Sequence, residues 1–312
     1  MIIGLLLSLF TLVEWNCENL FDCQRDSLHD DTEWQADSFR HWTRSRYWKK
    51  LNHVSQTILA CGESSKGWLL PDVVVLTEIE SDTVMIDLTR RSELRNARYE
   101  YIMTDSKDLR GIDVAILYAP SSFRPICYEM LRVEPLKHMR PTRDILYLSG
   151  ITITGDTLHL FAVHAPSRYG GERQTRPFRM AVVNRLLSAI DSIQAVSPAA
   201  NILITGDFND YSTSPSVKHL VSHQLVNVSQ TATGTHGAGG SYKFKGIWRS
   251  IDHIICTPQL AEACTDCFIA DYPFLLISDE KYGGRQPFRN YIGPRWQNGF
   301  SDHLPLVARF LF

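Results

Sequence analysis

Apolar residues fall into two rhythms along the chain. Short β-branched or alternating runs at Leu9–Trp15, Val73–Thr77, Tyr99–Met103, Val114–Tyr118, Ile145–Thr154, Thr157–Val163, Ile202–Thr205, Ile251–Cys256 and Leu306–Phe310 predict strands. Between them lie stretches of helical period. Leu51, Val54, Ile58 and Leu59 share one face of a predicted helix over Trp48–Cys61, and Val182, Leu186, Leu187 and Ile190 do the same over Glu172–Ile193. Gly62 follows the first helix as its expected C′ glycine. SGITITGDTLHLFAVHA predicts a hairpin, with Gly155-Asp156 as a two-residue turn between alternating runs. Hairpins and helical crossovers together predict an α/β (α+β) chain of mixed sheets covered by helices, not a doubly wound parallel sheet. There is no repeat and no long linker; GTHGAGGS at 234–241 is the loosest stretch and reads as a surface loop.

Length and charge narrow this picture only a little. The 312 residues correspond to two average domains or one large unit. With 32 Lys and Arg against 34 Asp and Glu, 44% hydrophobic and 21% charged residues, the composition excludes a disordered or fibrous chain. A net charge of −2 lacks the strongly basic footprint of a protein that lives on duplex nucleic acid, but leaves a local basic groove open. The seven cysteines include a lone CTDC pair, too few for a zinc site, and read as reduced thiols. MIIGLLLSLFTLV resembles a signal-peptide core but has no basic residue before it and no small-x-small site after it. It is short for a membrane span. Residues 8–16 therefore read as strand, and Met1–Leu7 as its extension or the remnant of an export signal. A cytoplasmic location is expected, with export as the alternative and no stable membrane insertion.

The chemistry lies at the ends of the predicted strands. Trp15-Asn16, Thr77-Glu78, His164-Ala165-Pro166, Gly206-Asp207-Phe208-Asn209, Asp252-His253 and Asp302-His303 all follow or precede apolar runs. Carboxylates and carboxamides are hard oxygen donors suited to Mg²⁺ or Mn²⁺, whereas zinc hydrolases concentrate His and Cys. Taken singly, each such residue is ordinarily a solvated turn residue. Their recurrence along the whole chain is what carries weight.

In order, the segments VEWNCENLFD, VVVLTEIES, RGIDVAILY, FAVHAPSR, ILITGDFND, SIDHIIC and FSDHLPLVA resemble the signposts of the endonuclease/exonuclease/phosphatase superfamily, over nearly the whole chain. The resemblance implies a four-layer sandwich, two packed mixed β-sheets flanked by helices, in a single domain spanning 1–312. It also implies metal-dependent cleavage of phosphate esters. By its pattern Asn16, Glu78 and Asp302 lie at an Mg²⁺ or Mn²⁺ ion, with Glu78 the main ligand. His164 contacts phosphate, Asp207 and Asn209 handle the attacking water and the scissile phosphate, and Asp252 orients His303. Which group is base and which is acid stays open. A nuclease-like phosphodiesterase is favoured. The alternatives are a phosphatase or phospholipase C-type enzyme on inositol phosphates, sphingomyelin or another small phosphoester, and last a non-catalytic binding member of the fold. The expected partner is a phosphoester substrate, nucleic acid among the options, with no protein partner and a monomeric chain.

Other segments carry two readings. Arg110 and Asp113 either approach substrate phosphate and a catalytic histidine or pair structurally, and Arg168 either reaches a phosphate or is solvated. FRHWTRSRYWKK at 39–50 reads as seating a helix through Trp42 and Tyr47 more than as a nucleic-acid patch. His219 and His223 lack the glutamate of a zinc HExxH motif and read as surface histidines. The acidic loop at 26–34 reads as solvated rather than as a second metal site. The segment 271–300, with Tyr291, Trp296 and Phe300, is the candidate substrate-selecting loop.

Overall fold

The computed structural model describes residues 8–64 and 67–312; the Met1–Leu7 extension or export remnant lies outside them. Alternation along one strand already sets the layering. In Thr157–His164, Leu158, Leu160 and Ala162 enter one apolar core while Phe161 and Val163 enter another. Leu203 divides from Ile202 and Ile204 in the same way. A strand that feeds two cores from its two faces lies between them.

The large sheets are built from β1 (Leu9–Leu20), β2 (Val73–Ile79), β3 (Glu100–Met103), β4 (Asp113–Tyr118), β5 (Phe123–Leu131), β6 (Ile145–Thr152), β7 (Thr157–His164), β8 (Asn201–Asp207), β9 (Val226–Asn227), β10 (Asp252–Cys256), β11 (Cys264–Ile269) and β12 (Leu306–Leu311). One sheet has the order β11-β12-β1-β2-β4-β3 and the other β9-β10-β8-β7-β6-β5. Both are mixed: β1–β2 and β7–β8 are parallel, the remaining pairs antiparallel. Their facing sides share one core. Helix α1 (Arg44–Ala60) adds Leu51, Val54 and Ile58 to that core, packing against β1. Helix α2 (Glu172–Val196) buries Val182, Val183, Leu186 and Ile190 against the outer face of the second sheet.

Several expectations change in detail. Helix α1 begins at Arg44 rather than Trp48, because Thr43 caps it by accepting from the Arg46 N–H. Gly62 is not needed for a left-handed cap. A Cβ there would lie 2.3 Å from the Leu69 carbonyl oxygen, so its role is close approach of the 67–69 segment. The hairpin turn is not at Gly155-Asp156. Gly155 N donates to Thr152 O and Thr152 N donates to Asp156 O, so the loop is longer and Gly155 (φ 94°) supplies its left-handed residue. Strands β5 and β11 escaped the pattern because they are sheet edges with mostly exposed or half-exposed side chains; β5 also carries Pro125 at a register shift. The segment 234–241 is firmly held, since the Asp271 carboxylate accepts from the backbone N–H groups of Thr235, His236 and Ala238.

All seven cysteines are free thiols. Among the described residues no helix is long and apolar enough to cross a membrane.

Candidate active site

Strand register places polar strand ends side by side. Asp207 at the end of β8 is paired with His164 on β7 and with Asp252 on β10, so three neighbouring strands present them in one row. This packing demands glycine at 206: its φ is 141°, and a Cβ would lie 1.9 Å from the Val163 carbonyl oxygen. On the other sheet, the parallel pair β1–β2 loses register just where Asn16 stands opposite Thr77. Glu78, Glu18 and Asn19 all take positive φ there (63°, 51° and 55°). Left-handed backbone at non-glycine residues costs about 1–3 kcal/mol each, and such bulges re-aim side chains that a regular strand would point elsewhere.

The side chains join across the two sheets. Asn16 Nδ2 donates to Asp207 Oδ2 (3.1 Å), and Asn209 N donates to Asp207 Oδ1 (2.7 Å). His164 Nε2 lies 3.6 Å from Asp207 Oδ2 and 3.9 Å from Glu78 Oε1. Glu78 Oε2 accepts from Asn19 N at 2.8 Å. From the loop before β12, His303 sets Nδ1 against both Asp252 oxygens, at 3.0 and 2.9 Å, which leaves Nε2 as the nitrogen that Asp252 does not engage. Trp15 Nε1 donates to His303 O, and Ser301 Oγ bridges Asn16 O and His303 N, so β1 pins this loop from below.

Burial and charge set the protonation states. Burial alone would lower the His303 pKa, but the Asp252 carboxylate, with Asp207 and Asp302, outweighs it and carries the ring well above the ordinary imidazole range. Burial, then the Asp252 charge, pushes Asp207 up to about 7. His164 goes the other way: burial first, then Arg143, Arg110 and His303, drive it well below the usual value, so it is neutral at pH 7. Seven of the residues, Asn16, Glu78, His164, Asp207, Asn209, Asp302 and His303, line one cleft of ≈ 1250 Å³, with Asp252 buried behind His303.

A model of the endonuclease/exonuclease/phosphatase family matches residues 11–310. The chain belongs to that family. As its name states, it is a family of phosphoester hydrolases, and the chain is an enzyme of that kind. Solved structures share the fold over nearly the full length. An endonuclease/exonuclease/phosphatase family protein from Bacteroides thetaiotaomicron is 15% identical (TM-score 0.64, covering 98% of each chain). A mannosyl-6-phosphatase from Bacteroides thetaiotaomicron is 17% identical (TM-score 0.64, 97% of this chain and 100% of that one). A truncated TDP2 from Caenorhabditis elegans is 17% identical (TM-score 0.60, 97% and 98%). No curated protein sequence matches the chain.

Within this family fold, the sequence-derived residues are gathered with one distinction. Asp302 lines the cleft, but the partner its carboxylate binds is Arg289 Nη2, at 3.0 Å. Asp113 does not reach a histidine; it is buried and accepts from Thr104 Oγ1 and Ser106 N, so its role is structural. Trp42 and Tyr47 pack, bonding the Phe21 carbonyl and Asp87. Tyr291 and Phe300 are buried and Trp296 half-buried; Phe300 stacks on His53 at 4.2 Å, so these aromatics seat the 271–300 segment rather than face the cleft freely. His219 and His223 meet edge to face, ring centroids 4.9 Å apart, near the surface.

Sequence reasoning missed Glu18, Arg143, Arg289 and Tyr242. Glu18 accepts from Asn290 N (2.6 Å) and Arg289 Nε (3.4 Å), and burial with the Asp302 charge pushes it up to about 7. Its place two residues after Asn16, just beyond the predicted strand end, is the one available signal. Tyr242 packs its ring 4.9 Å from that of His303. Nothing in the sequence pattern marks Arg143 or Tyr242, which reach the cleft from a connection and a short hairpin.

Proposed function

We propose that this chain hydrolyses phosphoesters with Mg²⁺ or Mn²⁺, phosphodiesters ahead of monoesters. The observation that carries the reading is a buried cluster: His303 held through Nδ1 by the Asp252 carboxylate at 2.9 Å, a contact that favours its imidazolium form, with ligand atoms of Asp207, Asp252 and His303 within 4.8 Å of one another and Asp207 pushed up to about 7. A phosphoester resists attack because its own negative charge repels the nucleophile, so a cation at the phosphate and a base at the water are the two needs. His303 supplies the first and Asp207 the second. Asn16 and Asn209 hold the Asp207 carboxylate in place, and neutral His164 donates no charge but can hydrogen-bond a phosphate oxygen.

The donor set fits a hard divalent ion. Glu78 is mostly buried, and among the described residues no Lys or Arg pairs with it, so its charge is left for a bound cation. Glu78, Asp302 and the Asn16 carbonyl are all oxygen donors, as Mg²⁺ prefers. The trio Asp207, Asp252 and His303 is also compact, with ligand atoms within 4.8 Å, but it is the poorer metal site because Asp252 occupies His303 Nδ1 and the ring is protonated. When bound, the ion would neutralise phosphate charge and polarise the P–O bonds.

A phosphatase on a small phosphomonoester is the second reading, favoured by the fold likeness to the mannosyl-6-phosphatase. A non-catalytic binding role fits poorly, because none of the matched motif residues is lost. The test is a screen of bis(p-nitrophenyl) phosphate, oligonucleotides, phosphoinositides, sphingomyelin and sugar phosphates with Mg²⁺ or Mn²⁺ supplied. Cleavage of at least one class is expected, and failure on all of them would overturn the enzyme reading.

A further inference from the structure

The cleft is not uniform in charge. Its arginines on the Tyr291 side are already neutralised: Arg40 pairs with Glu33 at 2.8 Å, and Arg289 with Asp302 at 3.0 Å. The opposite wall differs. Asp108 braces two guanidiniums, accepting Arg143 Nη1 on Oδ2 at 3.0 Å and lying 3.9 Å from Arg110 Nε through Oδ1. Arg140, three residues before Arg143 in the chain, lines the same cleft, is exposed, and makes no hydrogen bond or ion pair with any described residue. Two guanidiniums thus share one carboxylate, and the third, Arg140, has none. Arg143 is 6% exposed and its Nε has no partner, and a buried N–H donor left unmet is costly unless a further acceptor completes it.

This wall abuts the catalytic row on both flanks. Arg143 Nη2 donates to Ala165 O (2.8 Å), the same carbonyl that accepts Asn209 Nδ2 at 3.1 Å, one residue from His164. Arg110 Nη1 reaches Asn19 Oδ1 (3.4 Å), and the Asn19 N–H holds Glu78. We propose that Arg110 and Arg143, braced by Asp108, together with the unpaired Arg140, form a subsite for a second phosphate group of the substrate, next to the scissile one on the His164 side. The inference rests on the phosphoesterase reading and narrows it to substrates that carry two phosphates, whether adjacent links of a nucleotide chain or one small bisphosphate. Guanidinium suits this task because its planar fork bonds two phosphate oxygens at once.

Two experiments separate the subsite from the catalytic reading. In the first, metal-free protein in EDTA is titrated calorimetrically with inorganic phosphate. Wild type and His303→Gln should bind, and the exposed pair Arg110→Ala/Arg140→Ala should bind at least about tenfold more weakly; no binding by wild type, or equal binding by the double variant, overturns the subsite. In the second, kinetics are compared on bis(p-nitrophenyl) phosphate, on a 5′-phosphorylated thymidine dinucleotide and on fructose 1,6-bisphosphate. Arg140→Ala alone, a change at a side chain that bonds no residue of the catalytic row, should keep kcat/KM on the first within about twofold and raise KM severalfold or more on whichever two-phosphate substrate the wild type accepts, which also tells nucleotide from sugar sources. Equal losses on both kinds of substrate would contradict the proposal. If wild type turns over nothing while the phosphate-binding difference stands, the phosphoesterase reading fails and the anion site survives.

Discussion

Asp207 and His303 are displaced from their ordinary pKa values by the same buried row, and pH should separate their work. In the proposed mechanism Asp207 must be ionised and His303 protonated. The rate should therefore rise as pH passes about 7, where Asp207 loses its proton, and fall only well above the usual imidazole range. Asp207→Asn should erase the lower limb and cost about 10²–10⁴-fold in kcat, and His303→Gln should erase the upper one at similar cost. A pH–kcat profile of each variant checks both. A second residue tests the electrostatics without touching substrate. Glu14 is fully buried beneath the row, neither carboxylate oxygen has a partner, and burial with the Asp252 and Asp207 charges raises its pKa well above normal. The fold thus holds it protonated while the unfolded chain releases the proton above about pH 4.5. Stability from this group is lost as pH rises toward its folded pKa. Glu14→Met should raise the melting temperature more at pH 8 than at pH 5.

At the scale of elements, the GDFND turn is held by a helix it does not touch in sequence. Arg179 of α2 sets Nε 2.8 Å from Asp210 Oδ2, both side chains buried, in a charge contact more than an aligned hydrogen bond. Arg179→Met should leave Asp210 charged and unpaired, costing about 3–5 kcal/mol in chemical denaturation, because removing one partner strands a buried charge. The central strands and both long helices were legible because their apolar period is strong and their ends carry the motif residues. Edge strands β5 and β11 were not, since an exposed edge has no buried face to write into the sequence. Asn16, Glu78, Asp207 and His303 could be singled out because the first three close a run that buries well and His303 shortly precedes one. Arg143 and Asp108 could not, because they lie in connections where only the folded chain shows what they meet.

For the whole molecule, the account has one consequence that runs across both sheets. Asn16 and Glu78 come from one sheet, His164, Asp207 and Asp252 from the other, and His303 from the loop before β12, so the cleft exists only when the two sheets share their core. The net charge of −2 is then misleading as a guide to substrate. Acidic residues concentrate at the expected ion and at the water, while the Arg110–Arg143 wall beside them is under-compensated. The most direct test of the central claim is the rate of bis(p-nitrophenyl) phosphate hydrolysis as Mg²⁺ is titrated into EDTA-stripped wild type and Glu78→Gln in parallel. The account predicts no turnover without metal, saturable activation of the wild type, and a half-saturating concentration shifted upward by about 10–100-fold in the variant. Turnover in EDTA, or superimposable curves for the two proteins, would contradict it.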